Sequence, residues 1–384
     1  MAVIKQIAAR GKSVVLIGLG NIGACVAGLL ARLDCIERLI LIDRDTYDAS
    51  NLTSQDIVAG DIGRPKAEAQ ADRVRRINPR LRVEAICDDV ESVPLSRLRA
   101  DLCAAGLDSR RARQYVNQAA WRLGMPWVDA GVQAENLLAR VNVYIPGTDR
   151  SCLECAWDAH DYQLIEQSYP CGGQASMPAA TGAPAGLGGL AGALLVLECD
   201  KLLRGDWEHA AVGKQILVNA RTHRYFVTTI CRSPTCLFDH ETWQIEYVDR
   251  GPDRVGVGDA FALARRLPDD DSTESPSLSI EGQAFVSKLT CPACGETRAL
   301  SWRLGGRLDA ERSCPGCGQT MLATGFDITQ QLQERDLADG TLEAPLSSLG
   351  IRNGDVVTLR SAGSRRHFQL GEFLNANQPE AIRG

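Results

Sequence analysis

The stretch that most restricts the fold lies at residues 13–45. There an apolar run, SVVLI, is followed by GLGNIG, a helical pattern, ACVAGLLARLDCIER, and a second apolar run, LILID. Strand, glycine turn, helix and strand in that order fit a parallel pair joined by a right-handed crossover. Gly18, Gly20 and Gly23 spell G-x-G-x-x-G. Backbone amides at the start of the following helix favour phosphate. Asp43 closes the second strand ~20 residues on, where an acidic side chain meets a ribose hydroxyl. Taken alone, these residues read as a dinucleotide site for NAD.

The same texture continues. A helix is expected over Lys66–Ile77 ahead of RVEAI, another near Leu95, a strand in LCAAGLD ending at Asp108, a helix over residues 111–123, and a strand in PWVDAGV. The expected fold class is α/β, with a doubly wound Rossmann-like parallel sheet extending to about residue 230. A length of 384 residues calls for more than this one domain. The net charge of -6 argues against a nucleic-acid or anionic-membrane binder, which would show a basic face. No charge occurs over residues 168–197, but the continuous apolar part, 187–197, is too short for a bilayer core of ~30 Å and reads as a buried helix.

The 14 cysteines need an explanation of their own. The opening MAVIKQIAARGK carries no apolar segment of the secretory kind, so a reducing cytoplasm is expected, where cysteines serve as metal ligands, nucleophiles or small core residues. Six of them fall in three C-x-x-C pairs: Cys152/Cys155, Cys291/Cys294 and Cys314/Cys317. The last two pairs, CPACG and CPGCG, are two zinc-knuckle turns separated by TRALSWRLGGRLDAERS, which reads as a β-hairpin. They predict a zinc ribbon whose metal supplies much of its folding energy. Ahead of it, LPDDDSTESP reads as a linker.

The motifs that follow Asp43 sharpen the reading: LIDRDTYDASNLTSQ, then GRPKAEAQADRVRRINP, then the strand ending at Asp108. This ordered series over residues 10–240 resembles the family of ThiF, MoeB and the ubiquitin-activating enzymes. The resemblance implies adenylation rather than hydride transfer, with ATP and Mg2+ bound. Gly18, Gly20 and Gly23 would admit the phosphates, and Asp43 would hold the ribose. Asp45, Asn51 and Gln55 would line the nucleotide, Lys66 would reach the triphosphate, and Asp108 would bind Mg2+. One position departs from the pattern. Where the family has arginine in SNLxRQ this chain has Ser54, so either another cation, with Arg10, Arg44, Arg64 and Arg110 as candidates, meets the phosphate charge or the adenylation activity is weak.

The resemblance also implies a structural zinc site that begins with Cys152 and Cys155. Cys236 in CRSPTCLFDH supplies the third ligand, and His240 or Cys231 the fourth. Cys171, in SYPCGGQASMP, matches the place where some members accept the activated carboxylate as a thioester. Cys25, Cys35, Cys87, Cys103 and Cys199 fall in helix or strand patterns and read as core.

The expected organisation is an adenylation domain at 1–266 with one zinc site, a linker at 267–277, the second zinc site in a ribbon at 278–325, and a small module at 326–384. In the last, LGIRNGDVVTLR suggests either a ubiquitin-like fold or a simple hairpin. The leading expectation for function is ATP-dependent activation of the C-terminal glycine of a small ubiquitin-like β-grasp protein in a bacterial conjugation pathway. A homodimer and a conjugating enzyme would be its partners. The alternatives are an adenylyltransferase for a ThiS- or MoaD-like sulfur carrier, a non-catalytic scaffold of the same fold, and an NAD(P)-dependent oxidoreductase.

Overall fold

A computed structural model describes residues 11–166, 182–266, 275–304, 312–361 and 363–371. The chain divides into two compact units, the first running to Thr242 apart from Pro94–Arg97, and the second made of those four residues with 243 onward.

The first unit is built on an eight-stranded sheet. β1 (Lys12–Ile17), β2 (Ile36–Ile42), β3 (Arg82–Ile86), β4 (Leu102–Ala105) and β5 (Trp127–Gln133) are parallel, and β6 (Leu138–Tyr144), β7 (Lys214–Asn219) and β8 (Arg224–Thr229) continue it antiparallel. The strand order is β3-β2-β1-β4-β5-β6-β7-β8. It reverses direction between β1 and β4, and in open α/β sheets the crevice beyond the strand ends at that reversal is where ligands bind. β1 and β2 are nearly continuous apolar runs because both faces are covered. The helices are α1 (Gly23–Leu30), α2 (Lys66–Ile77), α3 (Arg110–Arg122), α4 (Ala159–Glu166) and α5 (Ala185–Leu203). The helices expected over Lys66–Ile77 and 111–123 are therefore present.

α5 contains the continuous apolar run 187–197 noted in the sequence. No described helix is long and apolar enough to cross a membrane. Its small residues let it approach α1: a Cβ on Gly188 would lie 2.0 Å from Asn21 Oδ1, and one on Gly192 would lie 3.1 Å from Val26. Leu187, Ala191, Leu195 and Cys199 then enter the core against Val26, Leu30, Val128 and Val141.

The second unit holds α6 (Val257–Ala264) and two sheets. In the larger one, β9 (Ile245–Val248), β10 (Ser277–Ile280), β14 (Leu332–Gln333), β15 (Val356–Ser361) and β16 (Ser364–Leu370) lie in the order β14-β10-β15-β16-β9. The smaller sheet is β12-β11-β13, from β11 (Phe285–Thr290), β12 (Thr297–Arg303) and β13 (Ile328–Thr329). Three sequence expectations differ here. β9 and α6 precede residue 266, yet β9 pairs parallel with β16 and α6 buries Val257, Phe261 and Ala264 in the second unit's core. The segment after the first knuckle pairs back onto β11, so the hairpin closes around Cys291 and Cys294 instead of lying between the knuckles. The turn near Leu95 is a short 3-10 helix, not an α-helix, and Ser96 N–H donates to the Gly354 carbonyl at 3.2 Å.

At the first glycine turn, Gly18 has φ +83°, and a Cβ on Gly23 would stand 1.7 Å from the Gly18 carbonyl oxygen. Gly20 faces open space, with nothing within 4 Å of an added Cβ. Gly23→Ala is expected to destabilise the first unit by roughly 3 kcal/mol or more, because backbone must move, whereas Gly20→Ala should change stability by less than about 1 kcal/mol. Urea unfolding midpoints of the two variants check this contrast.

Candidate nucleotide site and metal centres

The nucleotide candidates gather at the C-terminal ends of β1 and β2. Asp43, just past β2, accepts from the Leu19 amide at 2.6 Å and the Asp45 amide at 2.8 Å, which locks the glycine turn to the second strand. Burial pushes its carboxyl up, and the Lys66 ammonium opposes that rise. Lys66 opens α2, is 8% exposed, and donates to Asp45 at 3.0 Å. Its ammonium also lies 5.7 Å over the Tyr47 ring. Tyr47 in turn donates to the Leu19 carbonyl at 2.8 Å and accepts from Gln70 at 3.0 Å. A buried phenol thus fixes both the turn and the lysine.

Asn51 lies in a short 3-10 helix, Ala49–Thr53, and its Oδ1 accepts from the Asp48 amide. Gln55 Oε1 is buried without a partner among the described residues. Asn21 Nδ2 donates to the Ser54 carbonyl at 2.6 Å and the Ala183 carbonyl at 3.1 Å, while its Oδ1 is likewise unpartnered. Asp108 is exposed in the turn after β4. That turn abuts the glycines: a Cβ on Gly18 would lie 2.7 Å from the Gly106 carbonyl oxygen. The fold therefore brings Gly18, Gly20, Gly23, Asp43, Asp45 and Lys66 together with the two orphaned amide oxygens.

The candidates for the cation missing at Ser54 all carry carboxylate partners where described. Arg44 pairs with Asp89 at 2.7 Å and Asp45 at 3.8 Å, Arg64 with Asp72 at 2.5 Å and Asp61 at 3.6 Å, and Arg110 with Asp161. Arg10 and Cys171 lie outside the described residues. Sequence reasoning missed Tyr47, Asn21 and Gln70. Asn21 was legible as the polar residue inside GLGNIG, but Tyr47 and Gln70 carry no motif, and their role comes from hydrogen bonds between separate elements.

The first cysteine cluster joins Cys152, Cys155, Cys236 and His240, whose ligand atoms lie within 4.8 Å of one another. Cys152 Sγ is 3.9 Å from Cys155 Sγ and 3.8 Å from Cys236 Sγ, and Cys155 Sγ is 3.3 Å from His240 Nε2. Tetrahedral zinc with bonds of about 2.3 Å to sulfur spaces its sulfurs by about 3.8 Å, so the donor set fits zinc. His240 donates Nδ1–H to the Phe238 carbonyl at 2.8 Å, leaving Nε2 as the ligand atom, and burial lowers its pKa towards the neutral form that a metal needs. Cys231 is exposed and does not join this cluster.

The second cluster joins Cys291, Cys294, Cys314 and Cys317, with Cys291–Cys317 at 3.5 Å and Cys294–Cys314 at 3.6 Å. Cys291 N–H donates to Glu296 and Cys314 N–H to Gln319, two matching knuckle turns closed by Gly295 and Gly318 at positive φ. Of the cysteines read as core, Cys103 and Cys199 are buried, but Cys25 and Cys35 are half-buried and Cys87 is exposed beyond the end of β3.

Known proteins share much of this chain. The ThiF family model matches residues 4–237. The chain is 28% identical over 198 residues to ubiquitin-like modifier-activating enzyme 5 of Oryza sativa subsp. japonica, covering 46% of each chain. It is 28% identical over 235 residues to molybdopterin-synthase adenylyltransferase of Escherichia coli (strain K12), covering 60% of this chain and 88% of the relative. Among solved structures, E. coli MccB with ATP is 25% identical, covers 59% of this chain and 65% of its own, and superposes with a TM-score of 0.48. The chain spans about half the length of most of the curated relatives it matches.

Elemental analysis should find two zinc ions per chain. His240→Ala is expected to reduce this to one, while Cys231→Ser keeps two; the reverse pattern would assign the fourth ligand to Cys231.

Proposed function

The chain belongs to the ThiF family, and from that premise we propose that it binds ATP at the ends of β1 and β2 and adenylates the C-terminal carboxylate of a small β-grasp protein. The observation that carries this reading is the buried Lys66, held over the Tyr47 ring beside Asp45 and Asp43, at the mouth of a glycine turn that is open above Gly20. A dinucleotide site for hydride transfer has no use for a lysine there. A triphosphate does, because an ammonium beside the phosphates stabilises the charge that develops as pyrophosphate leaves.

The roles follow from the chemistry of each group. Gly20 lets the chain approach a phosphate without a side chain between them. Asp43 uses one lone pair on each oxygen for the Leu19 and Asp45 amides and retains acceptor capacity for ribose hydroxyls. The unpartnered oxygens of Asn21 and Gln55 can accept from nucleotide donors. Asp108 is the carboxylate suited to Mg2+, which would neutralise phosphate charge. Arg44 is the favoured substitute for the arginine absent at Ser54. It is exposed, and the Asp108 carboxylate acts on its charge.

For the acceptor step, Cys171 remains our candidate nucleophile on the resemblance alone. Activation of a conjugated modifier is the leading reading; the adenylyltransferase relative keeps sulfur-carrier activation as the alternative.

ATP–pyrophosphate exchange in the presence of a β-grasp protein ending in glycine tests the proposal. Lys66→Ala and Asp108→Ala should each slow exchange by about 100-fold or more. Gly20→Ala should weaken ATP binding while the fold stays intact. Cys171→Ala should leave exchange unchanged and abolish any thioester. Absence of exchange by the wild-type, zinc-loaded chain would sink the reading.

A further inference from the structure

At the other end of the strand order, separated from the glycine turn by β4 and β5, the first unit carries a cavity of about 600 Å3 that the adenylation reading does not use. Its floor is the polar face of β6 and β7, and its walls are the end of β8, the loop that follows, and the turn after Cys155. Alternation along β6 explains the floor. Ala139, Val141 and Val143 are buried in the core cluster that includes α5, so Arg140, Asn142 and Tyr144 face the other way.

Four observations define what would fit. The first is charge. Arg140 and Arg232 line the cavity, and no carboxylate does. Arg140 shares the fully buried Asp129 with Arg113, at 3.2 and 2.9 Å. Arg232 bonds the carbonyls of Ser233 and Thr148 and points a donor at Cys155 Sγ, 3.9 Å away. Two guanidiniums thus share one carboxylate, and Arg232 has no carboxylate partner among the described residues.

The second observation is an idle donor. Tyr144 is 1% exposed, lines the cavity, and has no hydrogen-bond partner among the described residues. Burial raises its pKa, so the phenol stays protonated. The third is backbone. β8 ends the strand order, and an edge strand offers unpaired N–H and C=O groups to an extended chain. Thr228 and Thr229, at its end, line the cavity. The fourth is an apolar wall made by Leu153, Trp157, Ile230 and Pro234. A volume within the range of about 300–1,000 Å3 typical of ligand sites holds a few residues of peptide.

We propose that this cavity binds a short extended peptide segment bearing one carboxylate, with Arg232 and Tyr144 meeting the carboxylate, the β8 edge pairing with its backbone, and Trp157 packing on an apolar side chain. The site is separate from the nucleotide site and does not depend on adenylation.

The test uses the full, zinc-loaded chain without nucleotide, with fluorescence anisotropy of two fluorescein-labelled, C-terminally amidated peptides, Ala-Leu-Glu-Ala-Ala (the acid) and Ala-Leu-Gln-Ala-Ala (the amide), neither of which ends in the glycine carboxylate that the nucleotide site would take. The acid should bind at least about tenfold tighter, the effect of one charge-assisted hydrogen bond. Arg232→Gln should reduce that preference below about threefold, and Tyr144→Phe should weaken acid binding several-fold. Because Arg232 touches a zinc ligand, zinc content is measured on the same sample. Thr229→Trp, which fills the cavity from an exposed strand position, supplies an independent arm and should abolish binding of both peptides. The proposal is overturned if the acid does not bind at about 1 mM, if acid and amide bind alike, if Arg232→Gln with full zinc keeps the preference, or if Thr229→Trp still binds.

Discussion

The close approach of three glycine backbones holds the first unit's site together. Gly18 turns back at positive φ, its carbonyl meets the Cα of Gly23, and its own Cα faces the Gly106 carbonyl. Without side chains at these positions, β1, α1 and the turn after β4 converge within van der Waals contact at the point where the strand order reverses. The Leu19 amide then reaches Asp43, and Asp43 draws the Asp45 amide and the start of α2 into place. Lys66 is buried as a consequence of that chain of contacts. An ammonium at 8% exposure would be costly without the Asp45 carboxylate and the Tyr47 ring beside it.

The same packing logic recurs between α1 and α5. Glycines at positions 188 and 192 bring the two helices close enough for Asn21 to reach the Ala183 carbonyl at the helix entry. The glycine turn is thereby braced from two sides, by Asp43 on the strand side and by Asn21 towards α5. Such bracing suits a site that must hold backbone amides in a fixed array, because ligand binding then costs little additional ordering.

How far the residues disclosed this depends on the kind of signal. Periodic apolar runs located β1, α1, β2, α2, α3 and β5, because those elements pack on a core and core packing leaves a period in the sequence. Cysteine spacing located the second cysteine cluster, because a tetrahedral ion would demand turns of fixed length, and the family resemblance located the first. The C-x3-H spacing from Cys236 favoured His240 over Cys231 without excluding either, and the structure groups His240 with the three cysteines, at a backbone φ of +59°. The boundary near 266 was misread. LPDDDSTESP looks like a linker locally, yet β9 and α6 before it belong with β15 and β16 far beyond it, and no local pattern encodes a parallel pairing across more than a hundred residues. Asp129, Tyr144 and Arg140 read as ordinary strand residues until β5 and β6 are laid side by side.

The charge pairs around the candidate nucleotide site bear on the absent arginine at Ser54. Arg44 and Asp89 form an exposed pair, and such pairs are worth about 0–1 kcal/mol, since water already solvates both partners and salt screens them. A charge-assisted hydrogen bond to a phosphate oxygen is worth about 1.5–3 kcal/mol. A guanidinium on a flexible stem therefore gains by exchanging the carboxylate for phosphate, and the exchange frees Asp89 into solvent at little cost. Lys66 differs, because it is buried and its partner Asp45 is not. Its ammonium is fixed in place before any phosphate arrives. The candidate site then combines a buried cation with exposed ones held in weak pairs, and an arginine in the SNLxRQ position would be one of several ways to supply charge to a phosphate.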